Sequence, residues 1–92
     1  VGEARQSVTI VNRRGLHARA SAKFVGAVAA LPAGVSVTVS KAPNSAAGGS
    51  ILGLMMLGAA KGDTIEVVVT GDNAQAVLAD LVGLVESGFG ED

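Results

Sequence analysis

The sequence contains no cysteine, no tryptophan and no tyrosine, and it carries a single histidine. Without cysteine there are no disulfides, thiolate metal sites or cysteine nucleophiles, and the chain is compatible with a reducing compartment. Phe24 and Phe89 are the only aromatic side chains, the net charge is −1, and lysine and arginine form no block. Such a chain is poor material for tracking a nucleic acid backbone or stacking bases. No apolar run reaches the roughly 18 residues of a membrane span, and Val1-Gly2-Glu3-Ala4-Arg5-Gln6 lacks the apolar centre of a signal peptide. The expectation is a soluble, cytoplasmic, monomeric protein that binds other proteins and neither nucleic acid nor membrane. Asp63, Glu66 and Asp72 are scattered around one strand pattern and its turns. The sequence therefore offers no metal cluster, paired carboxylate or catalytic triad, and it calls for no cofactor.

What is present fits one compact unit. In 92 residues, 49% of them apolar, a chain can build one core, and a domain of this size buries only about 60–65% of its unfolded surface. Residues 1–92 read as a single domain with residues 1–6 and 88–92 frayed. Ser7-Val8-Thr9-Ile10-Val11 alternates with period two, as a half-buried strand does, and Gly15 breaks the pattern. Ala20, Phe24, Val28 and Leu31 fall three or four apart and predict a helix over residues 18–31, ended by Pro32 and Gly34. Val35, Val37 and Val39 mark a second strand, followed by turn residues 41–44 and a weak edge strand over 45–49.

Ser50 precedes Ile51, Leu54, Met55 and Gly58, the pattern of a short helix with a serine N-cap and a glycine stop. Residues 64–70 form the strongest strand pattern, with Ile65, Val67 and Val69 on one face. Asp72 or Asn73 is placed to cap a last helix whose inward stripe is Ala74, Val77, Leu78, Leu81 and Val85. One-sided strands interleaved with helices predict an α+β, two-layer sandwich with a mainly antiparallel sheet and helices over one face.

The chemistry concentrates at Asn12-Arg13-Arg14-Gly15-Leu16-His17-Ala18-Arg19, where the first strand gives way to the first helix. A helix start offers unpaired backbone N–H groups and the positive end of the helix dipole, so an anion is welcome there. A phosphoryl group on His17 would meet the N–H groups of Ala18 and Arg19 and the Arg19 guanidinium together. The dipole contributes only about 0.3–1 kcal/mol, up to ~2 when partly buried, so the arginine and direct hydrogen bonds carry much of the stabilisation. Histidine, with an unperturbed pKa near 6.5, keeps a nucleophilic ring nitrogen free at neutral pH. At a helix entrance Nδ1, the nitrogen nearer the backbone, is expected to react. By residue type alone His17 reads as a helix cap. Gly15, which permits an unusual backbone entry, and Arg19 tip the reading towards function.

Gly15-Leu16-His17-Ala18-Arg19, with Ala22-Lys23-Phe24-Val25 after it, resembles the active-site region of the HPr family, histidine phosphocarriers of the bacterial phosphotransferase system. Ser50-Ile51-Leu52-Gly53-Leu54-Met55-Met56-Leu57-Gly58 resembles that family's regulatory serine and short helix. The resemblance covers nearly the whole chain. It implies an open-faced sandwich of four strands and three helices, and a carrier rather than an enzyme. It further implies that enzyme I phosphorylates His17, that Arg19 orients the phosphate, and that a histidine on a IIA protein receives the group. Ser50 would be the target of an HPr kinase/phosphorylase, although N-capping alone explains a serine there.

Two departures stand out: Ala20 replaces the family's usual proline, and Arg14 a small polar residue. On the short helix, Ile51, Leu52 and Met55 cannot all face inward beside Leu54 and Leu57, which predicts an apolar docking patch. Because Gly26, Ala29 and Gly53 bring no charge to that face, docking should depend only weakly on salt. Two other readings remain: a small phosphate-binding enzyme resembling acylphosphatases, and a regulatory module whose histidine is never phosphorylated. The resemblance does not separate sugar uptake from the nitrogen-related regulatory branch, although the arginine-rich entry, Ala20-Ser21 and the scarcity of docking lysines incline towards the latter.

Overall fold

Ile65, Val67 and Val69 alternate with Glu66, Val68 and Thr70, and this period of two makes Thr64–Gly71 an inner strand with one face wholly buried. The computed structural model describes residues 2–91. In chain order these form β1 (Gly2–Thr9), α1 (Ala18–Ala29), β2 (Ser36–Lys41), β3 (Asn44–Ala47), α2 (Ile51–Met56), β4 (Thr64–Gly71), α3 (Ala74–Glu86) and a 3₁₀ turn at Gly88–Gly90. The strands stand in the order β1-β4-β2-β3 with every neighbouring pair antiparallel. Ala4 and Val8 of β1 and Val37 and Val39 of β2 join the buried face of β4, and the helices pack over it. The opposite face stays open, so the fold is the expected α+β open-faced sandwich.

The inward stripe of α3 is as the period predicts: Ala74, Val77, Leu78, Leu81 and Val85 are all buried, with Val82 beside them. Its N-cap is one of the two expected residues, but it caps without a side-chain bond. Asn73 holds the position with φ 58° and its side chain makes no capping bond. Asparagine tolerates the left-handed region, and here it serves the backbone turn rather than the helix end. At the far end of α1, the last turn closes at Ala29, two residues before the expected limit, with Leu31 N–H still reaching Val28 O at 3.1 Å.

Both expected frays need correction. Residues from Gly2 onward belong to β1, paired with β4 from Gly2–Gly71 to Thr9–Thr64. Only Ala4 and Val8 of that strand are buried, so backbone pairing with β4, rather than side-chain alternation, holds its first half. At the other end, residues 88–91 are docked. Phe89 is buried at φ 58° between two glycines of positive φ, and Lys23 Nζ donates to its carbonyl at 2.7 Å. Val1 and Asp92 lie outside the described residues. Among the described residues no helix is long and apolar enough to cross a membrane.

Candidate functional site

The approach to His17 is set by Gly15. It has φ +63°, a region that L side chains rarely adopt, and a Cβ there would stand 2.3 Å from Ala59 O. The close approach lets Leu16 N–H donate to Ala59 O at 2.9 Å and buries Leu16, which fixes the next residue at the mouth of α1. His17 has an extended backbone and is the N-cap of α1: its carbonyl accepts from Ser21 N–H at 2.9 Å and its Nδ1 accepts from Arg19 N–H at 3.3 Å. The capping and functional readings of His17 thus describe one geometry. A ring nitrogen that accepts from the helix start carries its lone pair where an anion would be bound.

Nε2, at the other side of the ring, lies 2.8 Å and 3.0 Å from the two carboxylate oxygens of Glu91. Since the ionised carboxylate only accepts and Arg19 N–H only donates, the hydrogen belongs on Nε2 and the lone pair on Nδ1, an assignment made from the partners. Asn12, buried in the loop, donates from Nδ2 to Gly15 O at 2.8 Å and to Glu91 Oε1 at 3.2 Å, while its Oδ1 has no hydrogen-bond partner among the described residues. The hydrogen bond from His17 holds the Glu91 carboxyl below its ordinary range. Partial loss of water pushes the other way, and the Asn12 amide and the Lys23 charge favour the carboxylate. The surroundings of His17 therefore hold a carboxylate beside the cationic side chains.

Arg13, Arg14, His17, Arg19, Lys23, Gly90 and Glu91 line a cleft of about 600 Å³. Both residues singled out for chemistry, His17 and Arg19, meet there, and Arg14 joins them. Ala18 opens α1 but is not part of the cleft lining. The structure adds Asn12, Arg13, Lys23 and Glu91. One sign of the tail's role was available: Phe89 is one of two aromatic residues in the chain, and a lone aromatic between glycines is poorly suited to solvent. No local pattern marks Glu91 itself, 74 positions from His17.

Ser50 and the docking residues sit apart from the cleft on α2, which packs against α1 and β3. Ser50 is the N-cap, its Oγ accepting from Gly53 N–H at 3.0 Å. Ile51, Leu52 and Met55 are exposed as expected, and Met56, unassigned from the sequence, is 74% exposed. Four basic side chains thus line the cleft with His17, while the exposed side chains of α2 are uncharged. Among the described residues no group of three metal-ligating side chains occurs. A histidine with a free nitrogen at a helix start, facing four cationic side chains, is suited to carry a phosphoryl group.

The family described as "PTS HPr component phosphorylation site" matches residues 4–87. A phosphocarrier protein HPr of Neisseria meningitidis is 47% identical over 88 residues, covering 95% of this chain and 96% of that one. A phosphocarrier protein NPr of Escherichia coli K12 is 36% identical over 88 residues, 96% of this chain and 97% of that one. Among solved structures, HPr from Thermoanaerobacter tengcongensis superposes with a TM-score of 0.88 at 32% identity, covering 97% of this chain and 98% of that one. Fold and sequence agree, and the chain belongs to the HPr family, the phosphocarriers of the phosphotransferase system.

Proposed function

We propose that His17 is the residue on which this carrier holds phosphate, that the phosphoryl group comes from phospho-enzyme I, and that it leaves to a histidine of a IIA protein. The observation that carries this reading is the Nδ1 lone pair placed at the N-terminus of α1 and ringed by Arg13, Arg14, Arg19 and Lys23. In the transfer, Nδ1 forms a bond to phosphorus as the bond from phosphorus to the donor histidine breaks and its electron pair returns to the donor ring. Arg19 N–H, now turned to Nδ1, and the Arg19 guanidinium are at hand for the phosphoryl oxygens. The same events in reverse deliver the group to the acceptor. Residues 2–91 act as one unit in the cytoplasm, where the family's relay runs. Docking uses Ile51, Leu52, Met55 and Met56.

Incubation with enzyme I and labelled phosphoenolpyruvate tests the reading. The expected product is one acid-labile, base-stable phosphate per chain, absent from His17→Ala, with phosphorus on Nδ1 by NMR. Label that survives His17→Ala removes His17 from the relay. Ser50 we read as a second, regulatory phosphorylation site for an HPr kinase/phosphorylase. A phosphate there would put about −1.5 to −2 charge beside the apolar docking face, and loss of kinase labelling in Ser50→Ala checks it.

A further inference from the structure

The last described residue has no part in the relay outlined above, yet it touches the reacting ring. Glu91 packs its carboxylate against His17 Nε2 with side chains only 19% and 22% exposed, respectively. Three separate anchors bring it there: the burial of Phe89, the Lys23 Nζ bond to Phe89 O at 2.7 Å, and the Asn12 amide at 3.2 Å. A contact assembled from a loop, a helix and the tail is part of the fold rather than a chance meeting of two surface side chains.

We propose that Glu91 is a positioning residue for phosphotransfer: by accepting the Nε2–H of His17 it aims the Nδ1 lone pair at the incoming phosphorus and balances the charge that the ring gains. The inference rests on the reading of His17 Nδ1 as the phosphoryl acceptor. When Nδ1 bonds to phosphorus, the ring keeps its Nε2 hydrogen and becomes an imidazolium cation. No proton enters or leaves. When the group moves on, the N–P bond breaks, its electron pair returns to Nδ1, and the ring is again neutral with hydrogen on Nε2.

Among the described residues, the charged groups lining the cleft with His17 are Arg13 and Arg14 from the loop, Arg19 and Lys23 from α1, and Glu91 from the tail. Four cations suit a phosphate and oppose a cationic ring, so the ring needs a counter-charge on the side away from the phosphate. Glu91 is the carboxylate that supplies it, as carboxylates behind metal-bound and catalytic histidines do.

Glu91→Gln tests this, because the amide oxygen still accepts the Nε2 hydrogen while the charge is gone. Single-turnover transfer from phospho-enzyme I should lose about tenfold in rate at saturating donor, with half-saturation unchanged within about twofold. In the wild type, ¹⁵N spectra of neutral His17 should show the hydrogen on Nε2. A saturating rate for Glu91→Gln within about twofold of wild type overturns the proposal, as does a loss confined to half-saturation or phosphate found on Nε2. An unlabelled wild type, or a labelled His17→Ala, sinks the carrier role of His17 itself. A wild type labelled at Nδ1 beside an unimpaired Glu91→Gln sinks only the role of Glu91.

Discussion

Gly15→Ala should cost far more than the addition of one methyl group suggests. The φ of +63° places the residue where an alanine is penalised by about 1–2 kcal/mol, of which roughly 0.4–1 kcal/mol is returned by the stiffer unfolded chain. Sterics dominate. The added Cβ would lie 2.3 Å from Ala59 O and 2.8 Å from Ala60 Cα, both backbone atoms, so no side chain can swing away. Ordinary contact begins near 3.4 Å, and the two segments must part by about 1 Å. That strains the Leu16 N–H bond to Ala59 O and the seat of buried Leu16, an overpacking cost of about 1–3 kcal/mol. The total is about 1–5 kcal/mol, or a Tm lower by roughly 5–35 °C in a domain of this size. Urea and thermal melts measure it, with Gly26→Ala as the control. Gly26 lies within α1, nothing stands within 4 Å of its added Cβ, and the substitution should stabilise by roughly 0.5–1 kcal/mol. If Gly15→Ala melts within about 0.5 kcal/mol of wild type, the loop does not make the close approach on which the placement of His17 depends.

Ser50→Ala removes the bond to Gly53 N–H and should cost about 1 kcal/mol. Ser50→Asp can still cap and should retain stability while slowing transfer from enzyme I, and equal melting of Ser50→Ala and wild type contradicts the capping role. Leu52→Ser on the apolar face should weaken binding to enzyme I by roughly tenfold, by the same factor at low and high salt, as calorimetry at two ionic strengths can show. A factor that collapses in high salt would mean that charge, not apolar contact, governs this face. Tail docking should depend on pH. Because the Glu91 carboxyl is held below its ordinary value of 4.5, its contribution is fully present above that value and is lost as pH falls through the lower folded one. Hydrogen exchange at the Gly90 and Glu91 amides should therefore be protected at neutral pH and quicken below about pH 4.5 after correction for intrinsic rates, and protection unchanged in stronger acid would contradict it.

The elements legible in the sequence are those whose burial repeats at a fixed period. The α3 stripe and the alternation of β4 are written in their own residues, and so is the helix start at His17, because cap, glycine and arginine lie within five positions. Strand order is not written this way: β1 lies beside β4, the strand most distant in sequence, and no local period encodes that pairing. The first half of β1 is held by backbone pairing with β4 and buries only Ala4, and a single buried residue sets no period. Apart from Phe89, the tail was hard to read for a related reason. One buried aromatic and one carboxylate complete contacts with Asn12, His17 and Lys23, which are more than 60 residues away.

The docked tail also decides where the molecule can be handled. A fluorophore, affinity tag or fused domain joined directly after Glu91 starts beside the reactive ring, and its bulk or charge would enter every rate measured for His17. The start of β1 is a safer handle: Gly2 opens an eight-residue strand, about 25 Å of extended chain from the end that leads to the site. Reporters placed there leave the histidine, its carboxylate and the surrounding arginines in their native arrangement.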